Sequence, residues 1–161
     1  MSATILLVTG SRALADRDDS AAWARGILYD AIRTPERPRV YTGDASGPDA
    51  WALALAGARY TQWARDGAIY CWMGAPDREG WWIEPPHPPA LPRTRDEWRR
   101  RLLARDRAMV AHAALCASRG DSVRVLALRA PWSETHGTDY TAQHARAAGL
   151  DVRVLTYPEV P

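Results

Sequence analysis

The sequence predicts an α/β fold with a doubly wound parallel sheet of about five strands and helices on both of its faces. Short apolar runs such as Ile5–Val8 alternate along the chain with segments of helical periodicity. A continuous apolar run of about four to eight residues is typical of a parallel strand buried on both sides. Because helical segments separate the runs, right-handed crossovers between consecutive strands are the expected connections.

The predicted elements follow one another in a β-then-α order. Strands are expected at 5–8, 39–42, 68–73, 122–128 and 152–155. Helices are expected from Asp18 to the stop at 34–38, from Pro48 onward, from Arg95 to Ser118 as one long helix or two joined ones, and from Thr138 to Ala148. The helix boundaries rest on ordinary end signals, with Asp or Ser at a start, proline in a first turn and glycine after a last turn.

A proline- and tryptophan-rich insertion at 74–94 interrupts this order. Its six prolines and the Trp81-Trp82 pair argue against a regular element through most of its length. A loop this long in a compact domain is usually functional or disordered. The tryptophan pair argues against simple disorder, because it would leave a large apolar area exposed to water. We interpret residues 1–161 as a single domain that carries this insertion.

Composition excludes several kinds of chemistry. The formal net charge is only +2, so the bulk charge does not require nucleic acid or an acidic membrane surface as a partner. All 21 basic residues are arginine, which excludes a lysine Schiff base and a P-loop lysine. The histidines and the two cysteines have no metal-ligand spacing, and we expect neither a metal nor a cofactor. No export signal or membrane-length apolar stretch is recognised, so we expect a cytoplasmic protein.

Three small polar loops follow predicted strands, and each leads into a predicted helix. They are Thr9-Gly10-Ser11-Arg12, Gly43-Asp44-Ala45-Ser46-Gly47-Pro48-Asp49 and His136-Gly137-Thr138-Asp139. The carboxyl ends of parallel strands meet at one edge of an open sheet, and ligands bind there. Backbone N–H groups at such bends and at helix N-termini bind anions. We therefore expect one crevice for phosphate or another anion, and with it a nucleotide-like ligand.

The first loop is the less specific of the two that precede the insertion. Gly10 also suits a plain turn, which needs a glycine for geometry alone. In the functional interpretation, the Ser11 hydroxyl donates to the ligand, and Arg12 lies over a phosphate or stacks on a base.

The second loop is more specific because it holds two glycines and leads into a helix. Gly43 and Gly47 let the backbone pass close to a ligand while the helix amides point at it. We place Asp44 nearer a sugar than a phosphate, because like charges repel. Asp49 is expected to cap the helix or to hold a ribose hydroxyl.

The helix predicted from Arg95 carries arginines on different faces. One stripe at three-and-four spacing consists of Trp98, Leu102, Arg105, Met109 and His112. Arg105 therefore points inward, where it needs a partner such as Asp106, a carboxylate of another loop or a bound phosphate. Arg107 lies about 200° further around the helix, so we expect it to have a different role. Arg99-Arg100-Arg101 is interpreted as a solvated face.

Together these motifs carry a resemblance that covers almost the whole chain. The chain resembles the SLOG superfamily, a Rossmann-like group that contains the Lonely Guy phosphoribohydrolases and the DNA-processing protein A domain. Within it, the chain is most similar to the small stand-alone YspA- or YpsA-related members. The similar segments are the first two loops, Arg105-Asp106-Arg107-Ala108-Met109, Gly137-Thr138 and Ala147-Ala148-Gly149-Leu150-Asp151-Val152. The resemblance implies a nucleotide-related ligand at the carboxyl edge of the sheet and self-association, such as a homodimer.

Departures from the family pattern bear on catalysis. The phosphoribohydrolases carry an arginine followed four residues later by methionine, which Arg105 and Met109 match. They also carry Gly-Gly-x-Gly-Thr-x-x-Glu, in which Gly137 and Thr138 match, but Thr141 replaces the glutamate. Cleavage of an N-glycosidic bond requires a carboxylate to stabilise the sugar cation or to activate water. The carboxylates that could replace it are Glu134, Asp44, Asp49 and Asp139.

Three functions from different classes follow from these observations. The first is binding of a nucleotide or nucleotide-derived small molecule, as a sensor or sequestering module. The second is a phosphoribohydrolase acting on nucleoside monophosphates, with Arg105 and Glu134 as candidate catalytic residues. The third is single-stranded DNA binding, which the low net charge disfavours. The expected ligand-binding residues are Gly10, Ser11, Arg12, Gly43, Asp44, Gly47, Asp49, Arg105, Gly137 and Thr138.

Overall fold

The computed structural model describes residues 2–36, 38–43, 45–56, 72–75, 78–82 and 94–158, with 72–75, 78–82, Trp98 and Arg101 described by their backbone alone. The described residues form six strands and four α-helices. In chain order these are β1 (Thr4–Gly10), α1 (Asp18–Ile32), β2 (Arg39–Thr42), α2 (Pro48–Leu55), β3 (Trp72–Ala75), β4 (Arg78–Trp82), α3 (Arg95–Ser118), β5 (Ser122–Arg129), α4 (Gly137–Ala147) and β6 (Asp151–Thr156). A single 3-10 turn, Arg12–Ala15, joins β1 to α1.

The strands form one sheet in the order β4-β3-β2-β1-β5-β6. β2, β1, β5 and β6 are parallel, and β1 pairs with β5 along its whole length, from Thr4 opposite Ser122 to Gly10 opposite Leu128. The predicted α/β fold with a parallel sheet is therefore confirmed. The chain runs from β1 to β2 on one side and returns to the other side at β5, so the topological switch point lies between β1 and β5.

The β3–β4 edge of the sheet differs from the prediction. β3 is antiparallel to β2, and β4 is antiparallel to β3, so the parallel part has four strands rather than about five. β4 also lies within the insertion that was expected to lack regular structure through most of its length. A proline excludes ladder hydrogen bonding only at its own position, and 78–82 contains none. Residues 68–71 of the predicted third strand and most of the insertion lie outside the described residues.

Helices cover both faces of the sheet, as predicted. Alternate strand residues such as Leu6 and Val8 pack with α1 and α2 on one face. The intervening residues, such as Ile5 and Leu7, pack with α3 and α4 on the other. Because successive side chains of a strand point to opposite faces, one continuous apolar run supplies two cores.

The arginine-rich segment forms a single helix, α3, of 24 residues. A capping box fixes its start, in which the Thr94 hydroxyl accepts from the Glu97 N–H at 3.2 Å and the Glu97 carboxylate accepts from the Thr94 N–H at 3.3 Å. Arg99 and Arg100 are exposed, in line with the expected solvated face. None of the helices within the described ranges is both long and apolar enough to cross a membrane.

Candidate functional site

The loops after β1 and β2 pack against each other at the carboxyl edge of the sheet. A Cβ atom placed on Gly10 would overlap Cβ and Cγ of Pro48, the first residue of α2. Gly47, at the N-cap of α2, has a φ of +84°, and a Cβ there would lie 3.5 Å from Cα of Arg12. Glycine is thus required at Gly10 by the close approach of another element and at Gly47 by the left-handed backbone. The two loops form one surface, as the prediction of a shared crevice requires.

Arg105 of α3 reaches the same edge from the opposite face of the sheet. A Cβ atom on Gly43 would lie 2.5 Å from Cζ and Nη2 of Arg105 and 2.7 Å from Oδ2 of Asp49. Arg105 is 5% exposed and Asp49 is 4% exposed. The guanidinium and the Asp49 carboxylate therefore lie buried side by side, directly against the backbone at Gly43.

A buried network continues from Arg105 to α4. Nε and Nη2 of Arg105 donate to Oδ1 of Asp106 at 3.0 and 2.8 Å. Oδ2 of Asp106 lies 3.1 Å from the Thr141 hydroxyl, which is also 3.0 Å from the carbonyl oxygen of Gly137. Since a hydroxyl has one proton, these two acceptors are alternatives. The inward orientation predicted for Arg105 is confirmed, and Asp106 is its partner, whereas Arg107 is exposed.

Two helix N-termini meet the ends of this network. Gly47 precedes α2, and His136 precedes α4; neither makes a side-chain capping hydrogen bond. The first-turn N–H groups of an α-helix have no partner within the helix, and they carry the positive end of its dipole. Thr138 in the first turn of α4 is 5% exposed, and Asp139 beside it pairs with Arg129 at 3.5 Å.

The remaining predicted site residues occupy different environments. Ser11 is buried, and its N–H donates to the Leu128 carbonyl at 2.8 Å, which fixes the first loop to β5. Arg12 and Glu134 are exposed. Asp44 lies outside the described residues.

The contact between Asp106 and Thr141 is the feature of the site that sequence reasoning missed. The sequence indicates Asp106 only as one of several possible partners for Arg105, and Thr141 only as the residue that replaces the family's glutamate. The two residues are 35 positions apart, and no local pattern links them. The available signal was a pair of threonines at helical spacing, Thr138 and Thr141, both on the buried side of α4.

An aromatic cluster lies on the α1 face, next to the same edge. Trp132, in the loop between β5 and α4, packs nearly perpendicular to Tyr157 with ring centroids 5.6 Å apart, and Trp23 packs on Tyr157 at 5.4 Å. The guanidinium carbon of Arg17 lies 3.8 Å from the centroid of the Trp132 ring. We call Arg17, Trp23, Trp132 and Tyr157 the Trp132 cluster.

A hydrogen bond ties the Trp132 cluster to the start of α1. The Tyr157 hydroxyl donates to Oδ2 of Asp19 at 2.8 Å. This bond stabilises the ionised carboxyl, so the pKa of Asp19 lies below its usual value. For the same reason the pKa of Tyr157 is raised, because losing its proton would end the bond.

Comparison of the chain with protein-family models, curated proteins and solved structures found no match. The resemblance to the SLOG superfamily therefore stays a prediction based on the motifs quoted above.

Proposed function

We propose that the protein binds a nucleotide or a nucleotide-derived small molecule at the carboxyl edge of the parallel strands, as a sensor or sequestering module. One observation carries this proposal: the loops after β1 and β2 and the first turn of α4 are joined around the buried Arg105–Asp106 pair. Open α/β sheets bind ligands at the switch point between strands that lead in opposite directions. Here that point lies between β1 and β5, where the first loop is fixed.

The phosphate is assigned to the backbone and not to Arg105. The Arg105 guanidinium donates twice to Asp106 and lies beside Asp49, so its charge is already balanced by carboxylates. A phosphate placed on this pair would meet two negative groups. The first-turn N–H groups of α4 supply positive charge, and the one carboxylate of that turn, Asp139, is paired with Arg129. The exposed guanidinium of Arg12 adds a positive charge at the first loop.

Asp49 is suited to hold the sugar. A carboxylate accepts hydrogen bonds from a pair of adjacent hydroxyls, and in dinucleotide-binding folds an acidic residue does this for ribose. The packing of Arg105 against Gly43 and Asp49 fixes the position of that carboxylate. In this proposal Arg105 is a positioning residue for the ligand-binding loop.

A matched pair of substitutions at Gly137 tests the proposal. Gly137 is exposed in the first turn of α4, and nothing lies within 4 Å of a Cβ placed there, so side chains fit without strain. Gly137→Asp puts a negative charge where the phosphate is expected, while the same charge stabilises the helix N-terminus. Gly137→Asn has nearly the same shape without the charge.

The readout is the rise in melting temperature caused by nucleoside 5′-monophosphates, with dissociation constants from calorimetry. We expect wild type and Gly137→Asn to bind within about three-fold of each other and Gly137→Asp to bind at least about ten-fold more weakly, a difference of about 1.4 kcal/mol. The melting temperature of Gly137→Asp without ligand should not fall. Equal binding by all three proteins would exclude α4 as the phosphate site, and no binding by wild type would refute the proposed function.

A phosphoribohydrolase is the second candidate, and the Asp106–Thr141 contact favours it. Thr141 occupies the position at which the resemblance leads one to expect a catalytic glutamate, and Asp106 brings a carboxylate oxygen to 3.1 Å from its hydroxyl. Glu134, one of the carboxylates that the sequence offers for this role, is exposed in the loop before α4. Two results together would support hydrolysis. Wild type would release free base from a nucleoside monophosphate, and Asp106→Asn would not. Binding without release supports the sensor or sequestering role.

A further inference from the structure

We propose that Trp132 is the stacking surface for the planar ring of the ligand and that Arg17 covers this surface until the ligand binds. This inference rests on the proposed function, because it assigns the second half of the same ligand. It specifies the ligand as a phosphate joined to a heteroaromatic ring, in preference to a sugar phosphate or free phosphate.

The position of Arg17 shows that Trp132 accepts a planar group. A guanidinium is planar, and its carbon lies 3.8 Å from the indole centroid, which is a stacking distance. Arg17 itself is exposed, so its side chain can move away from the indole without disturbing the packing of the core. Tyr157 holds the indole from a perpendicular direction. A nucleobase is flat like the guanidinium, and any of the bases can stack on tryptophan because each has a π-face.

The indole N–H of Trp132 is a second, independent observation. Nε1 is buried and has no hydrogen-bond acceptor among the described residues. A buried donor without an acceptor is unfavourable, and each such donor in a folded protein requires an explanation. The N–H lies in the plane of the indole, so its acceptor approaches the edge of the ring and not the face that Arg17 covers. When the base lies on the face, the sugar oxygens of the same ligand are acceptors of the right kind for that edge.

Trp132 and the proposed phosphate site are close together in the chain. Trp132 lies in the loop between β5 and α4, and Gly137, the first residue of α4, follows at the end of that loop. A ring on Trp132 and a phosphate on the first turn of α4 would therefore be held by one connected segment. The buried Thr138 and Thr141 fix the far end of this segment, and the Trp132 cluster fixes the near end.

Binding of AMP and of ribose 5-phosphate to three proteins tests this assignment. Ribose 5-phosphate has the phosphate and the sugar but no ring, so the ratio of the two dissociation constants isolates the ring. Trp132→Leu removes the flat surface and keeps an apolar side chain. Trp23→Leu is the matched control, because Trp23 packs on the same Tyr157 but is not covered by Arg17.

We expect Trp132→Leu to weaken AMP binding at least about five-fold and to leave ribose 5-phosphate unchanged, since stacking contributes only where a ring is present. Trp23→Leu should preserve the preference of wild type for AMP. Arg17→Ala should bind AMP about two- to five-fold more tightly, because no cation has to leave the indole.

Two different failures can be told apart. If AMP binds wild type and Trp132→Leu equally, the stacking surface is wrong, while the proposed function stands. If neither AMP nor ribose 5-phosphate binds wild type, the proposed function and the stacking surface fall together. Equal loss of AMP and ribose 5-phosphate binding in Trp132→Leu would also overturn the assignment, because it would show a general effect on the loop.

Discussion

Gly43 is the residue at which the smallest change tests the packing of the site. We predict that Gly43→Ala lowers the free energy of unfolding by about 1–3 kcal/mol, the usual cost of overpacking. The added Cβ would lie 2.5 Å from Cζ of Arg105 and 2.7 Å from Oδ2 of Asp49, and both groups are buried. Urea denaturation of the two proteins measures the difference.

Gly26→Ala is the matched control for this substitution. Gly26 is exposed within α1, and nothing lies within 4 Å of its added Cβ. The same glycine-to-alanine change should therefore raise the free energy of unfolding by about 0.5–1 kcal/mol. If the two substitutions had the same effect, the close packing at Gly43 would be wrong.

His112 makes stability depend on pH. Burial, and secondarily the positive charge of Arg119, lower the pKa of His112 below 6.5. Below pH 6.5 the unfolded chain therefore binds more protons at this residue than the folded chain does, so the free energy of unfolding falls as the pH falls toward the folded pKa. We predict that wild type is less stable at pH 5.5 than at pH 7.5 and that His112→Gln shows a smaller loss.

The control for the pH measurement is His136→Gln, in the exposed loop before α4. Denaturant titrations at both pH values should give this variant the same loss of stability as wild type. A loss in His112→Gln as large as that in wild type would contradict the assignment to His112.

At the scale of elements, α3 connects the site to the core. Its residues Arg105 and Arg107 should contribute differently to the free energy of unfolding. We predict that Arg105→Ala lowers the free energy of unfolding by about 3–5 kcal/mol, because it leaves the Asp106 carboxylate buried without its cation. Arg107→Ala, on the exposed face, should change stability by no more than about 0.5 kcal/mol. Thermal and chemical denaturation measure both, and similar effects would refute the inward placement of Arg105.

The elements that could be predicted from sequence are those whose signals are local. The apolar run 5–8 identifies a strand from four consecutive residues. On α3, the spacing of Arg105 and Met109 identifies the side of the helix that is buried. The direction of β3 could not be predicted, because a short apolar run looks the same in parallel and antiparallel pairing. β4 could not be predicted, because the prolines on both sides of residues 78–82 argue against a regular element there.

The candidate site was predictable to a similar extent. Glycines after predicted strands located the carboxyl edge, since the topology of a parallel sheet gathers its strand ends there. The Asp106–Thr141 contact and the stacking of Arg17 on Trp132 arise only when distant segments fold together. Neither contact has a spacing rule in the sequence.

At the scale of the whole molecule, the sheet separates two apolar cores, and the proposed site lies where their helices converge. α2 starts on one face beside Gly10, while Arg105 and Asp106 arrive from α3 on the other. The site is therefore sensitive to both layers of the fold. Self-association stays a prediction. On the surface of α2, Trp51 is partly buried beneath Arg25, whose guanidinium carbon lies 4.7 Å from the centroid of its ring.

The most direct test of the phosphate site is a titration of the ¹⁵N-labelled protein with AMP and with inorganic phosphate, followed by amide chemical shifts. The account predicts that both ligands shift the amides of Gly137 and Thr138 most strongly, with smaller changes at Ser11, and that AMP alone also shifts the indole N–H of Trp132. Changes confined to the exposed arginines Arg99, Arg100 and Arg107 of α3, or no changes at all, would contradict it.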